Sequence, residues 1–321
     1  MISVLMTTYN CAPYISLAIK SILNQTYKDL ELLIIDDGST DGTEEVVKKF
    51  TDTRIRYIKF EHQGRSSALN LGLEKAKYEI ISIMDADDIA HPQKLGKQIS
   101  QLSGKENEIC FTDAVFFKNK KIKYINQNRF KENEINETLA LHGHFTNSTF
   151  MFYKNFIIKY GGYNKSIEIG EDYDLWLRIK NKSNFIFVNE ILQYQRIREN
   201  SLTSYNSEKT RTSIYNIQKS YYSDLKLSFN IADEKRQNEI LGWREFFYGN
   251  KSLSRTYWGR IKFKHWGCNM FFAFILSFFP VSFVEKFNNQ KVTLRMRYIF
   301  NRTVRKSGLD RVFKQILKDI A

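Results

Sequence analysis

Cysteine is close to absent: Cys11, Cys110 and Cys268 are the only three in 321 residues. They are scattered, with no CxxC pair and no metal-ligand spacing. A disulfide framework is therefore not expected, and the set fits a reducing compartment. The chain opens Met-Ile-Ser-Val-Leu-Met, which reads as the start of a strand, without the basic and apolar regions of a leader, so no secretory signal is expected. Internal repeats and low-complexity tracts are lacking too. Acidic residues are scarce at one end: after residue 250 only Glu285, Asp310 and Asp319 stand against 15 Lys and Arg, a balance of 15 − 3 = +12 out of a net charge of +14. A basic tail points to an acidic partner: anionic lipid, nucleic acid or another polyanion.

What the chain does have is core-forming material, 42% hydrophobic and 15% aromatic. Its length fits one large domain, or one domain with an appendage. The first hundred residues alternate strand and helix signals. Strands are expected at 2–7, 30–36, 55–60 and 79–84. Helices are expected from Pro13 to about 25, at 42–50 behind an Asp41 N-cap, at 66–77, and from Pro92 to about 102. Such alternation predicts a mostly parallel sheet with helices on both faces. In these sheets ligands bind beyond the carboxyl ends of the strands, where the polar clusters of this sequence fall. From 109 to 198 the pattern is less regular, with short strand-like runs and one clear helix near 171–180. Residues 205–250 read as amphipathic helix.

Residues 266–284 form a stretch of 19 without a formal charge, long enough for a membrane span. Gly267, Asn269, Ser277, Pro280 and Ser282 weaken that reading. Arg255, Arg260, Lys262 and Lys264 before it, with Lys286 and Lys291 after it, fit a helix pair lying in a membrane interface. The alternative is a buried helical hairpin in an ordinary C-terminal subdomain.

Three constellations carry chemistry. Asp85-Ala86-Asp87-Asp88 ends an apolar strand. Three carboxylates within four residues repel one another, and a divalent cation with phosphate oxygens would relieve them; a solvated loop is the plainer reading. Asp36-Asp37-Gly38-Ser39-Thr40-Asp41-Gly42 follows another strand. A tight turn accounts for much of it, but the paired acids also suit a base imide N–H or ribose hydroxyls, with Tyr9 available to stack. Glu171 and Asp172 sit where a helix dipole favours acids, or where one acts as a general base. Trp176, a turn later, is either a sugar platform or core. His142 and His144 lie in a possible acceptor-side wall, and without a further ligand they read as structural histidines rather than a metal site.

In order and spacing, Thr7-Thr8-Tyr9-Asn10, the Asp36 segment, the Asp85 motif and Glu171 to Arg178 resemble the GT-A-fold family 2 glycosyltransferases over about 200 residues. The segment from His62 through Arg65 to Gly72 resembles the family's Gly-rich entry to a helix in the donor half. The resemblance implies a GT-A (Rossmann-like) α/β fold, with 1–205 as catalytic domain (1–105 donor half, 106–205 acceptor half) and 206–321 as a helical, basic extension. It implies Thr7, Tyr9, Asp36, Asp37, Arg65, Asp85, Ala86 and Asp87 as donor-binding residues, and Asp87 with Asp88 as ligands of Mn2+ or Mg2+. Asp172 becomes the catalytic base of an inverting transfer, with Glu171 beside it. Trp176, His144 and Arg198 would lie on the acceptor side; Arg198 stands where the family often has His, offering diphosphate a permanent cation. Implied partners are a UDP-sugar, a glycan or lipid-linked acceptor and an anionic membrane surface on the cytoplasmic face of the inner membrane, with no nucleic acid. The competing readings are a sugar-phosphate nucleotidyltransferase, disfavoured because no basic Gly-rich loop follows the first strand, and a non-catalytic polyanion binder, which would leave the acidic motifs unexplained.

Overall fold

The computed structural model describes residues 1–126, 139, 145–198, 208–221, 233–278 and 309–320. Four parallel strands, β1 (Ile2–Thr8), β2 (Leu30–Asp36), β3 (Ile55–Lys59) and β4 (Ile80–Asp85), lie in the order β3-β2-β1-β4. All seven residues of β1 and of β2 are buried, as their near-continuous apolar runs require of strands covered on both faces. On one face Ile2, Val4 and Met6 pack with Ile15, Ala18, Ile19 and Ile22 of α1 (Ala12–Leu23); that i, i+3, i+4, i+7 spacing forms one helical stripe. Pro13 opens α1 in its first turn, where no amide donor is lost. On the other face Leu5 meets α3 (Arg65–Lys75) at Gly72. A Cβ there would fall 2.1 Å from Leu5 Cδ1, so glycine permits this close approach. Asp41 ties two helix starts together: it accepts from Ala12 N at 3.0 Å and from Thr43 N at 3.1 Å, the latter opening α2 (Thr43–Lys48).

Beyond β4 the pairing is mixed. The next elements are β5 (Ile89–Ala90), α4 (Lys94–Ile99), β6 (Glu108–Lys118), β7 (Lys121–Asn126), a 3-10 turn (Asn147–Thr149), β8 (Met151–Tyr153), α5 (Lys154–Lys159), α6 (Glu171–Ile179) and β9 (Asn184–Arg196). The sheet runs β3-β2-β1-β4-β8-β6-β9-β5, with β7 on β6. β8 is antiparallel to both neighbours, and β9 is parallel to β6. The parallel expectation, read from the first hundred residues, holds for β1 to β4, and the later strands add antiparallel pairs and the parallel β6–β9 pair. β6 and β9 are longer than the short runs read from sequence. Their register shifts at Thr112/Asp113 and Asp113/Ala114, and such bulges break the alternation that marks a strand.

The chain forms two compact units. One comprises Met1–Glu132, Phe145–Ser201 and Leu309–Ala321; the other comprises Asn133–His144 and Leu202–Gly308. The last described helix, α11 (Leu309–Asp319), belongs to the first unit. Its Phe313 is fully buried, stacked on Tyr194 at 4.7 Å and tilted against Phe117 at 4.9 Å. The second unit contains α7 (Glu208–Tyr221), α8 (Glu234–Phe247), α9 (Lys251–Gly259) and α10 (Cys268–Leu276). Its small core is Trp258, Ile261, Met270 and Ala273, with Trp243, Phe246, Trp266 and Phe274 packed against it. Of the uncharged stretch 266–284, residues 279–284 lie outside the described residues. Among the described residues no helix is long and apolar enough to cross a membrane.

Candidate active site

The carboxyl ends of β1, β2 and β4 bring the acidic segments to one edge of the sheet. Asp36, at the end of β2, is fully buried; its oxygens accept Ser39 N at 2.8 Å and the Tyr57 hydroxyl at 2.5 Å. Burial and that carboxylate push the Tyr57 hydroxyl's pKa far up. In this structure Asp36 shapes the turn through these two bonds. Asp37 faces the other way. It accepts Gln63 N at 2.8 Å and Gly64 N at 3.0 Å, and His62 Nδ1 lies 2.9 Å from its Oδ2. The His62 ring in turn stacks on Tyr9, centroids 4.3 Å apart and 21° from parallel. Tyr9 is 46% exposed. Gly38, at φ +77°, lets this segment pass: a Cβ would sit 3.0 Å from His62 N. Thr7 is buried at the end of β1.

The acidic motif carries two arginines. Arg65, at the start of α3, bridges Asp85 at 2.6 Å and Glu171 at 2.7 Å. Burial works against its charge, but Asp85 and Glu171 more than offset it and hold its pKa well up. Arg198 lies on Asp87, Nε to Oδ2 at 2.7 Å. Burial raises the Asp87 pKa, Arg198 opposes that, and Asp85 adds to it. Arg196, two residues earlier, donates to Asp87 O at 2.8 Å and lays its guanidinium over the Tyr14 and Phe117 rings, at 4.9 and 4.5 Å. Ala86 joins the core cluster, so its side chain is not a donor contact; it spaces the two acids.

Asp88 differs from its neighbours. It is 1% exposed, and its oxygens accept Arg196 N at 2.9 Å, Ser148 Oγ at 2.8 Å and Gln193 Nε2 at 3.3 Å. Burial, with Asp87 and Asp85 close by, pushes its pKa well up, while these donors pull the other way. Burial and three protein donors make it a pin of the loop, which weighs against the metal-ligand role expected from sequence. Behind it Lys94 is fully buried, its Nζ donating to Ser148 O, to Gln193 Oε1 at 3.1 Å and to Ile83 O at 3.3 Å. Burial lowers its pKa to about 8, against the pull of Asp88 and Asp85. Sequence reading missed Lys94. The available signal was a Lys and a Gln, Lys94 and Gln98, flanking Leu95 where the buried stripe of α4 falls.

Asp172 lies at the start of α6, partly buried. Burial, then Glu171, pushes its pKa up to about 7, with Arg65 opposing. A carboxylate titrating near neutrality is suited to proton abstraction. Trp176 is not a sugar platform: it is fully buried and stacked on Phe150 at 4.1 Å. Nearly all of α6 is buried, so a residue one turn on faces core as well. His142 and His144 lie outside the described residues. Among the described residues no three His, Cys, Asp or Glu side chains converge on one metal position.

A parallel half with an acidic loop at its carboxyl edge, joined through an antiparallel strand to a mixed half, belongs to the class of α/β folds that bind ligands beyond the carboxyl ends of their strands. The comparisons narrow that class. The model of glycosyl transferase family 2 matches residues 3–162. WbnJ, an O-antigen biosynthesis glycosyltransferase of Escherichia coli, is 38% identical over 191 residues, 57% of this chain and 72% of that one. An uncharacterized glycosyltransferase of Methanocaldococcus jannaschii is 32% identical over 260 residues, 77% and 86% of the two chains. The fold of Staphylococcus aureus TarS 1–349, solved with UDP-GlcNAc, matches with a TM-score of 0.62 at 16% identity, covering 86% of this chain and 81% of that one. Mannosyltransferase PcManGT of Pyrobaculum calidifontis, solved with GDP-Man and Mn2+, matches at 0.60 and 15% identity over 99% and 86%. The chain belongs to glycosyl transferase family 2. That membership sets aside the nucleotidyltransferase and the non-catalytic readings.

Proposed function

We propose that the enzyme moves a sugar from a UDP-type donor to a hydroxyl of a cell-surface glycan or its lipid-linked precursor, inverting the anomeric centre, with Asp172 as general base. The observation that carries this is the placement of Asp172: a partly buried carboxylate titrating near neutrality, next to Glu171, whose partner Arg65 also holds Asp85 of the donor loop. Asp172 takes the proton of the acceptor hydroxyl as that oxygen attacks the sugar carbon. Arg65 and Arg198 hold the acidic loop and offer charge to the departing diphosphate. TarS solved with UDP-GlcNAc supports the donor class, and the O-antigen role in the name of WbnJ supports the acceptor class.

Asp85 and Asp87 fit a divalent cation. Each side chain is 16% exposed and each commits one oxygen to an arginine. Hard carboxylate oxygens suit Mn2+ or Mg2+ completed by phosphate oxygens and water; when bound, the ion would neutralise charge on the leaving diphosphate. Titration with UDP, GDP and CMP, with and without Mn2+, tests the reading. UDP is expected to bind most tightly, and Asp87→Ala to abolish the Mn2+ dependence. Binding of no nucleotide under any condition would overturn it.

The base pocket adds a second expectation. His62 occupies both features that a base would use, the Tyr9 face and the Asp37 carboxylate. A base reaching Asp37 must displace the ring. His62→Ala is therefore expected to tighten UDP binding roughly fivefold, the worth of about one net hydrogen bond, by calorimetry. Weaker binding would mean that the ring stays and the base stacks on it.

A further inference from the structure

The second unit exposes a face that its own core does not account for. In α10, Met270 and Ala273 turn inward, one helical turn apart, to join Trp258 and Ile261. On another stripe Phe271 and Ile275 are 39% and 41% exposed, and Phe278, just beyond the helix, is 64% exposed. These three fall at i, i+4 and i+7, a single face. Phe263, 68% exposed, extends it edge-on against Phe271, centroids 6.0 Å apart. Single exposed apolar residues are ordinary; a contiguous group of large ones marks an interaction surface.

Its charge is one-sided. Residues 251–278 contain five Lys and Arg and no Asp or Glu. Lys262 and Lys264 bracket Phe263. The Arg255 guanidinium lies 4.4 Å over the Phe278 ring, and Nη1 donates to Ser277 O at 2.7 Å at the end of α10. An occupant must therefore offer an apolar interior with an anionic rim. Nucleic acid would satisfy the cations but leave the exposed rings in water. A second copy of the same face would cover the rings but set five positive charges against five. A helix of nine residues reaches roughly 14 Å, about half the hydrocarbon thickness, so it can lie in an interface but not span one.

We propose that Phe263, Phe271, Ile275 and Phe278, with Arg255, Lys262 and Lys264, seat in the headgroup boundary of an anionic phospholipid bilayer. α10 lies in the membrane plane, with the rings below the phosphates and the cations level with them. This docking is independent of the reaction assigned to the first unit, so nucleotide binding by the variants below stays unchanged. The test is co-sedimentation of the full chain with vesicles of phosphatidylcholine alone and with an equal mixture of phosphatidylcholine and phosphatidylglycerol. The protein is expected on the mixed vesicles and not on the neutral ones, with binding that falls as salt rises. The double variant Phe263→Ser, Phe278→Ser, with both sites at the surface and its fold checked by circular dichroism, is expected to bind at least about tenfold more weakly. Replacing Lys262 and Lys264 by Glu is expected to cost roughly fivefold or more per residue. Wild-type affinity in the double Phe variant would overturn the proposal, as would equal binding to both vesicle types. So would a lipid-free dimer that dissociates in the double Phe variant, since the face would then belong to a second copy.

Discussion

Asp172→Asn is expected to lower kcat about 10²–10⁴-fold, the range a positioned general base contributes, while UDP affinity stays near wild type. Asparagine keeps the shape and hydrogen-bonding reach of the side chain but cannot take a proton. The wild-type enzyme supplies a second readout. Only the ionised form acts as base, and burial with Glu171 holds its pKa at about 7, so kcat/KM is expected to climb with pH through about 7 and then level. Stability should run the other way. The folded state binds this proton more tightly than the unfolded chain does, so the contribution is complete below the ordinary Asp range and is lost as pH rises towards and through 7. Asp172→Asn escapes that loss. Its thermal midpoint, relative to wild type, is expected to be higher at pH 8 than at pH 5. A variant with unchanged kcat would remove Asp172 from the chemistry; one with low kcat and no relative gain at pH 8 would mean that its carboxyl is not perturbed by burial.

Lys94→Met should damage the fold more than any surface change. Methionine fills the aliphatic volume but removes the ammonium. Ser148 O, Gln193 Oε1 and Ile83 O each lose a donor, and the buried Asp88 loses a buried positive charge that it interacts with. Stranding buried acceptors costs about 1–3 kcal/mol each, and breaking a buried charge arrangement costs about 3–5 kcal/mol. The terms overlap, so a loss of about 3–5 kcal/mol in urea denaturation is expected. Because Ser148 and Gln193 also hold Asp88, the two sites are coupled: Asp88→Asn should cost less in the Lys94→Met background than alone. Strict additivity would break the link between them.

The donor half was legible because β1 and β2, buried throughout, write themselves as near-continuous apolar runs, and β2 and β4 end in acids. The acceptor half was not, because bulges in the β6–β9 pairing erase alternation. Within the acidic motif, Asp85, Asp87 and Asp88 are chemically alike. Only burial and three protein donors distinguish Asp88 as a pin. Likewise the Arg65–Glu171 pair joins residues 106 apart in the chain, a distance over which no local pattern reports. Trp176 misled because one turn from a reactive acid usually means the same face, whereas α6 is buried nearly all round.

Phe313 also sets a schedule for synthesis. Its ring closes over Tyr194 and Phe117, and Phe117 lies under Arg196, which holds the Asp87 carbonyl. The ribosome must make everything between 194 and 313 before that cover arrives. At typical elongation rates this is roughly 6–24 s. During that interval the nascent sheet offers two aromatic rings, Tyr194 and Phe117, without their Phe313 cover. A chaperone that shields nascent chains would find its substrate there, and a stop codon anywhere before 313 would leave that state permanent.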